Sequence, residues 1–227
     1  GYVPMRDIDE TIGHVQRLAK MGFKAINLPA FPQNPKAWDT SSNVANMKAG
    51  QVSALTGDPR GELQYYLPEF DRLWAVIQDH DLAITMHLGG RVPRFGDPLH
   101  FLADMPMSKM AMGEPIGIFI FNAIFQRFPK LRLGMIESGV GWFAWYTEYA
   151  TRTWEKQRFW TGSQLKNLPS HYMDQNIYGS FINDRMGFVN CHQPGGRNVM
   201  WSSDFPHSET TYPNSLAGYS ALRKGKN

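Results

Sequence analysis

Apolar positions along the chain fall into two alternating periods, one helical and one strand-like. Ile8, Ile12, Val15 and Leu18 recur at helical spacing behind Asp7, which reads as a cap with Glu10 as its capping-box partner, and Gly22 ends the stripe. Phe23 to Leu28 reads as a strand stopped by Pro29, and Gly1 to Met5 as the tail of another strand. Pro68 opens a helix that turns Phe70, Leu73, Trp74 and Ile77 toward the core, and a strand over Leu82 to Leu88 follows at once. Ile116 to Phe128 predicts one strongly apolar helix ended by Pro129, and Leu131 to Ile136 the next strand. Trp142 to Trp160 predicts a helix with Trp145, Tyr149 and Trp154 inward, and strands over Asn176 to Ile182 and Asn198 to Ser202 complete the series.

Short joints between strand, helix and strand mark a parallel sheet. Six strand candidates alternating with helices leave an open doubly wound sheet or a closed (β/α)8 TIM barrel. No G-x-G-x-x-G fingerprint follows the first strands, which weakens the open nucleotide-binding sheet. Ionisable residues at the ends of several strands favour the barrel, whose site draws on many strands at one face. A whole barrel takes about 250 residues. This chain has 227, many of them in loops. The expectation is therefore one domain over 1–227, an α/β barrel that begins after its first strand and ends before its closing helix.

Two stretches interrupt the alternation. Ala30 to Gly61 is rich in Pro, Asn, Ser and Gly, and reads either as a substrate-facing insertion or as a plain surface excursion. Gly89 to Glu114 reads as a second irregular segment, placed after a strand end where binding loops of parallel α/β proteins sit. Within it Arg91 and Arg94 are placed to meet an anionic substrate group, and five Met between Met86 and Met112 suggest a soft apolar wall. Arg91 and Trp142 are the candidate substrate contacts.

The candidate chemistry lies at strand ends. AITMHLGG delivers His87, LRLGMIESG delivers Glu137, and WSSDFPHSE delivers Asp204, with Pro206 stopping the ladder and His207 three residues after the carboxylate. Imidazole and carboxylate oxygens suit zinc, manganese or iron, and a catalytic site keeps one position open for water. Asp204 is a candidate ligand and proton shuttle, with His207 orienting it or touching substrate. Glu137 is open between a ligand, a proton carrier and the partner of a nearby Arg. His87 and Asp204 make two ligands where catalytic zinc typically has about three, so the remainder is expected from the missing first strand.

Composition narrows the classes without choosing among enzymes. A hydrophobic share of 42% and a charged share of 19% are those of an ordinary globular protein, and a formal charge of +3 asks for no nucleic acid. Cys191 is the only cysteine, so no internal disulfide forms and a cytoplasmic location is the economical reading. No apolar run is long enough to span a bilayer.

WSSDFPHSETTYPNS, FPKLRLGMIESGVGW, MHLGG and IYGSFINDR together resemble the metal-dependent amidohydrolase-related family that includes aminocarboxymuconate semialdehyde decarboxylase. The likeness spans nearly the whole chain, and SDFPH is its most specific element. It implies a (β/α)8 barrel with His87 as the metal-binding histidine of a middle strand and Asp204 as the metal-binding aspartate of the last. It further implies one divalent ion, zinc first with manganese or iron as alternatives, and a metal-dependent hydrolase or decarboxylase acting on a small carboxylated, amide or lactone substrate. A homo-oligomer, a dimer, is the expected assembly. The chain departs from the family at two places: it has no opening His-x-His or related His/Glu motif, and Glu137 stands where the decarboxylases carry a catalytic histidine. The competing class is a catalytically inactive barrel serving as a structural or binding subunit, with Asp204 and Glu137 paired to arginines.

Overall fold

The computed structural model describes residues 1–5, 7–30, 32, 64–87 and 101–224. Five strands run parallel in one sheet in the order of the chain: β1 (Ala25–Asn27), β2 (Ala83–His87), β3 (Arg132–Ile136), β4 (Ile177–Phe181) and β5 (Val199–Trp201). Each strand pairs with the next, so all five end at one edge of the sheet. The first residues lie beside β1: Val3 N donates to Asn27 O at 2.9 Å and Asn27 N to Gly1 O at 2.8 Å.

Helices join the strands. They are α1 (Ile8–Lys20), α2 (Asp71–Asp79) behind a 3-10 turn at Pro68–Phe70, α3 (Phe101–Met110), α4 (Gly113–Phe121), α5 (Ile124–Arg127), α6 (Phe143–Thr161), α7 (Pro169–Asn176), α8 (Arg185–Val189) and α9 (Ser215–Arg223). Asp7 caps α1 by accepting from Glu10 N at 2.9 Å, while the Glu10 carboxylate lies 3.4 Å from His14 rather than closing a capping box. The core forms where Ile26, Ile84, Leu133 and Met135 of the sheet meet Leu73, Trp74, Ile77, Ile116 and Phe119 of the helices, all of them fully buried. Trp74 sits at its centre, 5.5 Å from Tyr65 and 5.0 Å from Phe119 between ring centroids.

Four further sequence expectations are corrected. The stretch 89–114 is not irregular throughout, because 101–110 is helical and α4 begins at Gly113. Helix α3 buries Asp104 and Ser108 and exposes Phe101, Leu102, Met107 and Met110, so its polarity runs opposite to an amphipathic pattern, and Pro106 inside it reads as a breaker. Nor do its methionines gather into a wall, since Met86 and Met112 lie in the core while Met107 and Met110 face outward. The helix expected over Ile116 to Phe128 is two, because Ala123 adopts a left-handed backbone with φ 56° that no helix can pass through. On α6 the inward face is Phe143, Thr147, Ala150 and Trp154, while Trp145 and Tyr149 stack on each other outside, 5.6 Å apart. The loop expected after Ala30, and Arg91 and Arg94, lie outside the described residues.

Candidate active site

Sheet register brings the strand-end side chains together. His87 stands opposite Ile136 in the β2 and β3 pairing, one residue short of Glu137, and its Nε2 lies 2.8 Å from Glu137 Oε2. The Glu137 side chain is 11% exposed and that of His87 55%, so the carboxylate sits beneath the imidazole. An ionised carboxylate only accepts, which places the shared hydrogen on His87 Nε2.

The β5 end builds the second half. After Trp201 the chain makes a tight loop in which Thr210 Oγ1 donates to Ser203 O at 2.7 Å and Thr211 N to the same oxygen at 3.1 Å. That loop contains a cis peptide before Pro206 and holds His207 Nδ1 2.8 Å from Asp204 Oδ2. With Nδ1 carrying the hydrogen toward Asp204, the neutral His207 ring keeps its lone pair on Nε2. The donor atoms of Glu137, Asp204 and His207 all lie within 4.8 Å of one another.

Glu137 and Asp204 share an uncommon backbone: their φ angles are 60° and 58°. For a residue with a Cβ this left-handed conformation costs about 1–2 kcal/mol, so neighbouring contacts must hold it. At Glu137 the peptide is pinned on both sides, its N–H donating to Ser180 Oγ at 2.8 Å and its carbonyl accepting from Lys109 Nζ at 3.2 Å. Lys109 also stands 3.8 Å from Glu209, on the loop that carries Asp204.

One more carboxylate shapes the rim from below. Asp184 Oδ2 accepts from Val140 N and Gly141 N, each at 2.7 Å, and Asp184 Oδ1 accepts from Gly187 N at 3.0 Å, so it caps α8 while fastening the turn after Glu137. Gly141 is required there, since a Cβ would stand 2.6 Å from Asp184 Oδ1. Lys109, Glu137, Phe181, Asn183, Asp184 and Glu209 line a cavity of about 380 Å³ beside the cluster. A larger hollow of about 740 Å³ lies on the outer side of α6 and touches none of the strand-end side chains, so the chemistry and not the volume marks the site.

The four strand-end residues His87, Glu137, Asp204 and His207 therefore come together in two bonded pairs. His87 reaches the cluster through Glu137. The partner of Glu137 is a histidine, and its peptide is held by a lysine, with no arginine bonded to its carboxylate or to that of Asp204 among the described residues. Trp142 stands apart from the cavity lining: its Nε1–H donates to Ser138 O at 3.0 Å, and its ring packs edge-on against Phe143 and Tyr146. Arg91 lies outside the described residues. Lys109, Ser180 and Asp184 went unnoticed in the sequence. Asp184 carried a readable signal, an acidic residue just ahead of a short helix; Lys109 sits on the helix whose pattern is inverted, and Ser180 in a buried strand.

The donor set fits a divalent cation: two carboxylates and an imidazole are hard to borderline ligands, gathered at the ends of β3 and β5. The comparisons agree in family and in fold. No curated protein matches the chain. Among solved structures, an amidohydrolase from Mycobacterium avium subsp. paratuberculosis K-10 is 16% identical with a TM-score of 0.68, covering 100% of this chain and 52% of its own. The 5-carboxyvanillate decarboxylase LigW from Sphingomonas paucimobilis is also 16% identical with a TM-score of 0.68, covering 98% of this chain and 59% of its own. A dihydroxybenzoic acid decarboxylase from Polaromonas sp. JS666, solved with bound manganese and the inhibitor 2-nitroresorcinol, is 15% identical with a TM-score of 0.64, covering 98% and 64%. This chain thus spans between about half and two thirds of the length of the solved structures it resembles, and what it shares with them is the α/β barrel fold. A family described as amidohydrolase matches residues 3–225, and on that match the chain belongs to the amidohydrolase family.

Proposed function

We propose that this protein is a metal-dependent hydrolase or carboxy-lyase acting on a small carboxylated substrate. The observation that carries the reading is the convergence of Glu137, Asp204 and His207, with their donor atoms within 4.8 Å, at the strand-end rim of an amidohydrolase-family fold. Glu137, Asp204 and His207 would hold the ion, and His87 would orient Glu137 as an outer partner. When bound, a divalent ion polarises a substrate oxygen and lowers the pKa of a coordinated water. Manganese in the Polaromonas relative supports a divalent ion, and the decarboxylases among the structural relatives support a carboxylated substrate.

Each bonded pair in the site can move one proton. Asp204 Oδ2 and His207 Nδ1 share one hydrogen across 2.8 Å, so a proton taken up by this pair is spread over carboxylate and imidazole rather than left on the carboxylate alone. His87 and Glu137 form a second such pair across 2.8 Å. In hydrolysis one pair removes a proton from the attacking water and delivers it to the leaving group. In decarboxylation the carbon–carbon bond breaks, carbon dioxide leaves, and the electron pair left on the substrate carbon takes the proton. Hydrolysis thus needs a group that takes up and returns a proton, and decarboxylation one that gives a proton, roles that a carboxylate–imidazole pair can fill.

The test is metal content and turnover of the purified protein. We expect about one divalent ion per chain, removed by chelator together with activity on aromatic carboxylates, lactones or amides, with carbon dioxide release separating the two reactions. A stoichiometry near zero, with stability unmoved by added zinc or manganese, would replace this reading with an inactive scaffold.

A further inference from the structure

We infer that Lys109 and Ser180 are positioning residues that hold the backbone of Glu137 left-handed and so aim its carboxylate at His87 and at the Asp204–His207 pair, an assignment that rests on the proposed role of Glu137. Glu137 has φ 60°, a conformation an unsupported Glu leaves. Its N–H is held by the hydroxyl of Ser180 at 2.8 Å, from a side chain only 6% exposed on β4, and its carbonyl by the ammonium of Lys109 at 3.2 Å, from α3. The two bonds approach the same residue from different elements and fix the rotation of both of its peptide groups. Lys109 has a second task, because its ammonium also faces Glu209 at 3.8 Å. Glu209 belongs to the loop that carries Asp204 and His207, so Lys109 ties α3, the β3 end and the β5 loop together between the two bonded pairs. Ser180 cannot be replaced by Ala without leaving a part-buried N–H unpaired, and Lys109 cannot be replaced by Met without freeing the carbonyl.

The experiment compares Lys109→Met, Lys109→Arg, Ser180→Ala and Ser180→Thr with the parent protein by two measurements besides turnover. The first is the nitrogen-15 chemical shift of the His87 ring in protein without added metal, which reports the Glu137 contact directly. The second is manganese affinity by calorimetry. Lys109→Met and Ser180→Ala should move the His87 signal away from its position in the parent and weaken manganese binding by roughly 10–100-fold, the usual effect of removing an outer partner. Lys109→Arg and Ser180→Thr, which keep a donor and an acceptor, should recover most of it. Where turnover is measurable, kcat should fall with little change in KM. An unmoved His87 signal in both Lys109→Met and Ser180→Ala would overturn the assignment, as would manganese affinity within about threefold of the parent. If the parent itself binds no manganese and turns nothing over, the proposed function fails, and the His87 comparison still decides the positioning.

Discussion

Asp184 gathers three backbone N–H groups onto one carboxylate, and each loses its partner if the side chain is removed. Charge-assisted bonds of this kind are worth about 1.5–3 kcal/mol where a donor would otherwise be left unpaired. Asp184→Ala should therefore lower the unfolding free energy by about 2–4 kcal/mol, read as a fall in the urea midpoint at unchanged m-value. Asp204→Asn addresses chemistry instead: if Asp204 moves the proton, turnover falls by at least about a hundredfold, and a variant retaining most of its activity removes Asp204 from that role. Two tyrosines set an alkaline limit. Burial pushes the hydroxyls of Tyr65 and Tyr146 well above the ordinary phenol range, and Tyr65 donates to Pro29 O at 2.6 Å. A raised folded-state value means that the folded chain keeps a proton the unfolded chain gives up, so stability holds below about pH 10 and declines above it. A chemical-denaturation series between pH 9 and 11 should show that decline, and Tyr146→Phe should reduce it.

Among the elements, those with matching local and tertiary signals were legible. The helix α1 announced itself by Asp7 and by the Ile8, Ile12, Val15, Leu18 stripe, and each of the five strands lies within its predicted run. The helix α3 was invisible because periodicity assumes that apolar side chains turn inward, and here Asp104 and Ser108 do. The α4–α5 break was invisible for another reason: Ala123 is a good helix former, and only tertiary packing sets its φ at 56°. That break carries a test. Ala123→Gly removes the left-handed penalty at the loss of one buried methyl, so it should stabilise the protein by about 0.5–1 kcal/mol, whereas the same change inside α6 should destabilise it by a similar amount. A thermal melt of the two variants separates the cases by the sign of the shift.

Taken whole, the molecule is a set of parallel strands whose ends meet at one rim, and that much follows from alternating periods and short joints. The ionisable residues could be located on strand ends for the same reason. Which of them would bond to which could not, because the His87–Glu137 contact depends on a register that pairs His87 with Ile136, and a one-residue slip would separate them. Lys109 and Ser180 were hidden for a related reason: their partner is a backbone group, and backbone groups leave no mark in a sequence.

The left-handed φ angles of Glu137 and Asp204 bear on how this protein could change over generations. Glycine or asparagine suits that backbone better than glutamate does, and a β-branched side chain suits it worse. A library selected only for endurance to heat should enrich glycine and asparagine at 137 and deplete valine and isoleucine, while the survivors lose their chemistry. Sturdiness and usefulness would then pull that position in opposite directions, and a parallel selection for turnover should keep the glutamate that the first one discards.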